Sequence, residues 1–383
     1  MTTRRKFLFG AAATVGSLVL AGCGPSPSST ASASTDPVIF GVSGPFTGDN
    51  AEYGIIWKNA FAIALDEING KGGINGRKVQ LEYEDSQADP KQSVPIAQKF
   101  ANDPTILAEL GDFASPASMA ASPIYQRAKM VQFGFTNSHP DFTLGGDFMF
   151  STSATQTISA ADLATQATSV LKGRRQAVLY LDTDWGHVTE GIYVNKAKAL
   201  GADVVVAKSY LSTEKDFRSI LLEVRAAKPD IVSLISYYND AALIVQQAKN
   251  VGIDATIIAS GSAFSPRFIS LAGNAANGVY LPATFLPNDP RPNVQQFVQT
   301  YQKRYNQIPD SFAEGAYDAL NVLIWAVQKG GATRVGIQQA LLHGTDIPSL
   351  QYGPFKFGSD RRVAQYKTTL LIVRDGQFVP YNS

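Results

Sequence analysis

From residue 38 onward, short β-rich apolar runs alternate with stretches whose apolar residues recur at helical spacing, and this rhythm constrains the fold more than any other feature. Residues 38–43 form the first run. Across 50–69, Ile56, Ala60, Ile63, Ala64 and Ile68 fall on one helical face before the glycine-rich segment 71–76 breaks it. Strand patterns follow at 79–84, 105–111 and 131–134, with helical ones at 90–101 and 115–129. Short apolar strands separated by helices make a parallel sheet covered by crossover helices.

A second series runs through strands at 177–182, 203–210, 231–237 and 256–259 and helices at 188–200, 214–227 and 241–251. Beyond Pro292 the pattern turns helical at 294–305, 311–329 and 335–343, and the tail 355–378 reads as strands. A body of about 346 residues is too long for one ordinary core. The expected fold is therefore α/β with two similar lobes. In such sheets ligands settle at the carboxyl ends of strands, which selects the loops 45–53, 112–118, 135–138, 182–185, 237–240 and 260–264. These loops are rich in hydroxyls and aromatic rings.

The N-terminus carries an address. Arg4, Arg5 and Lys6 precede an apolar run over residues 10–21, and Leu20-Ala21-Gly22 leads into Cys23. A basic start, a short apolar core and small residues before a cleavage point define a targeting segment, expected over residues 1–22. The stretch resembles a bacterial lipoprotein signal, which implies acylation of Cys23 before cleavage and anchorage to a lipid membrane, in the periplasm or at the cell surface. Arg4-Arg5 with Phe7-Leu8 also resembles a twin-arginine export signal, so both export routes stay open. Residues 24–37 contain only Gly, Pro, Ser, Thr, Ala and Asp. With nothing to bury, 23–37 is expected to act as a lipidated flexible tether spanning roughly 20 Å.

Composition removes several classes of function. Cleavage takes three of the 33 basic residues and leaves 30 against 32 acidic ones, without the basic surplus that nucleic acid demands. Cys23 is the sole cysteine, so no disulfide and no cysteine cluster can form within the chain. His139, His187 and His343 are widely spaced, and neither a Gly-rich phosphate loop nor a Gly-x-Ser-x-Gly elbow occurs. Neither enzymatic activity nor any metal or other cofactor is expected, and His139 reads as a cleft-rim or solvated residue.

Several ordered motifs carry a family likeness. Ser43-Gly44-Pro45 with Tyr53-Gly54, Asp66-Glu67-Ile68-Asn69, Gly72-Gly73-Ile74-Asn75-Gly76, Asp89-Pro90-Lys91-Gln92, Lys215-Asp216-Phe217 and Tyr317-Asp318-Ala319-Leu320 resemble the leucine, isoleucine and valine binding proteins of bacterial ABC importers. The resemblance implies a type I periplasmic-binding-protein fold: two Rossmann-like lobes with parallel sheets joined by a hinge of three crossings. On this reading 38–154 plus 286–352 form the N-terminal lobe, and 155–285 plus 353–383 the C-terminal lobe. It further implies a monomer that holds a small solute, an amino acid or a related carboxylate or amide, between its lobes and hands it to ABC permease subunits. A rival reading is a ligand-sensing component that presents its loaded form to a membrane signalling partner, although the chain ends at Ser383 without a spanning helix.

The resemblance also nominates the site. Ser115-Pro116 opens a helix after a strand, as a hydroxyl N-cap followed by proline, and such an end favours a carboxylate. Ser115, Thr136 and Ser138 match positions that hold the ligand's head group. Tyr53, Trp185 and Tyr237 match aromatic wall positions. The family's ammonium-binding glutamate has no counterpart near Ser260-Gly261-Ser262. Either another acid substitutes or the ligand lacks an ammonium. Asp184, Asp240 and Asp112 lie in neighbouring loops as candidates, and Asp184 is placed in the site.

Overall fold

The computed structural model describes residues 36–381. Cys23, the expected targeting segment and the expected tether up to residue 35 lie outside the described residues. In chain order the first elements are β1 (Val38–Gly44), α1 (Ala51–Gly70), β2 (Val79–Asp85), α2 (Pro90–Asn102), β3 (Ile106–Leu110), α3 (Ser115–Arg127), β4 (Val131–Gly134) and β5 (Met149–Ser151). They form a five-stranded sheet of order β2-β1-β3-β4-β5 in which every pairing is parallel. β3 is buried at all five positions, as a central parallel strand covered on both faces must be.

The chain continues through α4 (Gln156–Thr165), β6 (Arg175–Leu181), α5 (Asp184–Ala199), β7 (Asp203–Tyr210), α6 (Arg218–Ala227), β8 (Ile231–Ile235), α7 (Tyr238–Asn250), β9 (Thr256–Ala259), α8 (Pro266–Ala272) and β10 (Tyr280–Ala283). Helices α9 (Pro292–Tyr305), α10 (Ser311–Gly330) and α11 (Arg334–His343) then pack on the first lobe, with α10 against α1. β11 (Thr369–Arg374) and β12 (Gln377–Pro380) finish a seven-stranded sheet of order β12-β11-β10-β9-β8-β6-β7. This second sheet is parallel from β7 to β10 and antiparallel at its β10-β11-β12 edge, where a tight turn joins β11 to β12 and β11 returns from the first lobe against β10.

The tail differs from its reading as strands. Phe355 and Phe357 form only isolated bridges, and the Phe357 ring packs on Phe133 and Phe150 of the first sheet at 6.1 and 5.2 Å. Arg362 bridges to Ser151. Residues beyond 352 thus still pack on the first sheet, through the Phe357 ring and the Arg362 bridge.

Local chemistry sets the elements that border the site. Asp89 caps α2 by accepting from the Lys91 amide at 2.8 Å, with Pro90 at the first helical position. Asp310 caps α10 through the Phe312 and Ala313 amides, both at 2.9 Å. At the end of β3, Gly111 has φ +136°, and a Cβ there would lie 2.1 Å from the Ser43 carbonyl oxygen. Only glycine lets the chain turn there into the loop that starts α3.

Candidate ligand site

A cavity of about 190 Å³ opens where the carboxyl ends of the two sheets face each other. From the first lobe it is lined by the start of α3 and the loop after β4, and from the second by the starts of α5 and α7 and the loop after β9. The cleft rule of open parallel sheets selects these termini from the alternation alone.

Five of the seven nominated residues line this cavity: Ser115, Thr136, Ser138, Trp185 and Tyr237. Ser115 is the first residue of α3 and not its cap, a position that Ala114 takes without a side-chain bond. Freed from capping, the Ser115 hydroxyl accepts from the His139 amide at 3.3 Å. Thr136 Oγ1 donates to the Phe113 carbonyl at 3.0 Å, tying the loop after β4 to the one after β3. Trp185 Nε1 donates to Ser138 Oγ at 3.1 Å, from one lobe to the other, and its ring stacks on Tyr237 at 5.4 Å. Burial pushes the Tyr237 phenol well up, so the ring acts as a neutral platform.

The other two sit elsewhere. Tyr53 does not line the cavity. It is fully buried behind it, stacked on Phe113 at 4.0 Å, and its hydroxyl donates to the Ser262 carbonyl at 2.6 Å across the lobes. Asp184 stands outside with its side chain 60% exposed, 3.1 Å from His139 Nε2. Its place at the start of α5 turns the carboxylate toward solvent and His139 and away from the cavity. His139 itself is buried rather than solvated, since the Asp141 amide donates to its Nδ1 and Arg362 donates to its carbonyl.

Neither alternative acid reaches the cavity. Asp112 is buried beneath it, accepting from Ser93 Oγ at 2.8 Å and from the Phe113 amide at 2.5 Å. Asp240 is buried in the first turn of α7, and burial pushes its carboxyl up to about 7.

Several lining residues escaped sequence reasoning. Phe113, Phe135 and Phe312 complete the aromatic wall, and Asp318 of α10 is the carboxylate that reaches the surface of the cavity. A signal for Asp318 did exist. Within the otherwise apolar α10, Ser311, Glu314, Gly315 and Asp318 recur at helical spacing, and such a stripe in a buried helix needs a partner. Arg362 was also missed. Its buried guanidinium donates to the carbonyls of Asn137 and Ser153 at 3.0 Å and of His139 at 2.6 Å, holding the loop that carries Ser138. Burial lowers it to about 10.

Hydroxyls, aromatic rings and one carboxylate around a cavity between two lobes make a receptor for a small polar-headed ligand. No group of three or more His, Cys, Asp or Glu side chains suited to a metal occurs among the described residues. No described helix is long and apolar enough to cross a membrane.

These features define a bilobed solute receptor, and the profile of the periplasmic binding protein family matches residues 37–377, so the chain belongs to that family. Its members are exported solute-binding proteins, not enzymes. Within the family the chain is similar to the branched-chain amino acid binders. A "Leucine-, isoleucine-, valine-, threonine-, and alanine-binding protein" of Pseudomonas aeruginosa is 26% identical over 307 residues, 78% of this chain and 80% of that one. An "Amino acid binding protein" of the same organism is 28% identical over 240 residues, 62% of this chain, and the match spans only 63% of that relative's length. A solved ABC transporter substrate-binding protein of Desulfitobacterium hafniense, in complex with Leu, superposes with a TM-score of 0.76 at 25% identity. That alignment covers 90% of this chain and 100% of that one.

Proposed function

We propose that this protein is the solute-binding subunit of an ABC importer, which captures an amino acid or a related carboxylate or amide between its lobes and delivers it to permease subunits. The observation that carries the reading is the convergence of Ser115, Thr136 and Ser138 with Trp185 and Tyr237 on one interlobe cavity. The start of α3 offers unpaired amides and a positive partial charge to a carboxylate, while the rings supply apolar area as the lobes close. The Leu-bound relative and the amino-acid specificities named for the Pseudomonas proteins support the same class of ligand.

Closure proceeds by hinge motion at the three crossings. Contacts between the lobes hold the closed form, among them Tyr53 to Ser262, Tyr238 to Tyr53 and Asp49, Trp185 to Ser138, His139 to Asp184, and Lys215 to Asp49 at 3.0 Å. Lipidation of Cys23 and the tether behind it keep a monomeric receptor near its membrane partner. Changing Cys23 to Ser should release the protein from the membrane fraction.

Calorimetry against a panel of amino acids, aromatic acids and amides tests the main reading. Binding of at least one such solute with burial of apolar surface is expected. Failure of every solute to bind, together with turnover of any substrate, would overturn it.

A further inference from the structure

Resting on the reading of the cavity as a solute site, we infer that Glu314 and Asp318 form the acceptor for the ligand's amino group, replacing the acid that is missing near Gly261. Neither residue belongs to the second lobe, where that acid was expected. Both lie one turn apart on α10, and the cavity is lined by Ser311, Gly315 and Asp318 from that face. Residues three and four apart on a helix point the same way, so Glu314 lies on the same side as these neighbours, buried behind Asp318 and not itself among the lining residues.

Glu314 is the unexplained member. It is 1% exposed, and neither carboxyl oxygen makes a hydrogen bond of ordinary geometry, although Asp318 and the Gln351 backbone lie beside it. A buried carboxyl with no partner costs several kcal/mol unless something else satisfies it. Asp318, by contrast, is structurally engaged: it accepts from Ser349 Oγ and from the Leu350 amide at 2.8 Å. Arg291 is the nearby cation whose charge reaches both acids, but its guanidinium is held by Asp289 at 2.8 to 2.9 Å. Glu314 and Asp318 thus lean on each other, and among the described residues Arg291, the cation whose charge reaches both, is engaged elsewhere, so a donor brought by the ligand would relieve the pair.

The spacing suits a small zwitterion. A Cβ at Gly315 would lie 3.8 Å from the Phe135 carbonyl oxygen, next to Thr136 of the head-group loop. Asp318 stands one helical turn further along, about 5 Å. A molecule whose carboxylate sits at Ser115 and Thr136 can therefore place an ammonium against α10. Burial, followed by the charge of Asp318, pushes the Glu314 carboxyl well above the usual range, which favours its protonated form in the unliganded protein. An arriving ammonium would expel that proton.

The test compares L-leucine, L-phenylalanine and L-alanine with their des-amino counterparts, 4-methylpentanoate, 3-phenylpropanoate and propanoate, by calorimetry in buffers of different ionisation enthalpy. The full-length protein should prefer the amino acid of at least one pair and release protons as it binds. Glu314→Gln should weaken that amino acid about 30-fold or more and leave its counterpart unchanged. Equal weakening of both, or binding without proton release in the unaltered protein, would overturn the inference; the second measurement needs no variant. If only ammonium-free carboxylates bind, the acid pair is not an ammonium site while the solute-binding reading stands. If no solute binds at all, that reading falls first.

Discussion

Changing Tyr53 to Phe separates closure from folding. The hydroxyl donates to the Ser262 carbonyl at 2.6 Å and accepts from the Tyr238 amide at 3.3 Å, whereas the ring stacks on Phe113 within the first lobe. Removing one oxygen keeps the stack and strands two backbone groups of the second lobe, but only while the lobes are closed, because water satisfies both when they part. The first bond is short and the second long, so a cost of about 1–2 kcal/mol on the closed form follows. That is about 5- to 30-fold in the closing equilibrium. Since ligand affinity scales with the population of the competent form, Kd should rise by the same factor. Thermal unfolding of the unliganded protein should hardly move. Calorimetric titration beside a melting curve reads both quantities. An unchanged Kd would show that the bond does not hold closure, and a large fall in Tm without ligand would show that the contact belongs to the fold.

Arg362→Ala should destabilise the protein by about 3–5 kcal/mol in urea denaturation, because it strands the buried carbonyls of Asn137, His139 and Ser153. A loss confined to ligand affinity would contradict this. Asp310→Asn addresses pH. Burial pushes Asp310 up to about 7, against the opposing pull of the Ala313 and Phe312 amides. The native state therefore binds the extra proton, and this acid's contribution to stability falls as pH rises from about 4 to 7, by at most about 4 kcal/mol. Asparagine can still cap α10, so the variant should show a flatter stability profile over that window. An unchanged profile would refute the assignment.

Much of the cavity lining was legible in the sequence. Ser115, Thr136, Ser138, Trp185 and Tyr237 were reachable because each lies at the carboxyl end of a strand, and topology alone sends those ends to one cleft. Tyr53 was misplaced for a steric reason. Its position in α1 is near the cleft, but the Phe113 ring lies over it and takes the wall. Asp184 was misplaced because loop membership does not state which way a helix-start side chain points. The polar stripe of α10 marks Glu314 and Asp318 without stating what it packs against, whereas Arg362 lay beyond reach because it comes from a segment about 210 to 225 residues downstream of the carbonyls it meets.

By itself the sequence determined the alternation of strand and helix and the expectation of two lobes. These are local properties, written in periodicity and in short runs of residue type. Only the tertiary structure decided which acid reaches the cavity, how far along the tail the chain still packs on the first sheet, and which hydroxyl bridges the lobes. Each depends on packing between distant segments: rings at 355–357 seeking the Phe133 core, and α10 laid along α1 so that Asp318 faces the cleft. Long-range packing of this kind depends on the complementarity of whole surfaces, which no local window of sequence contains.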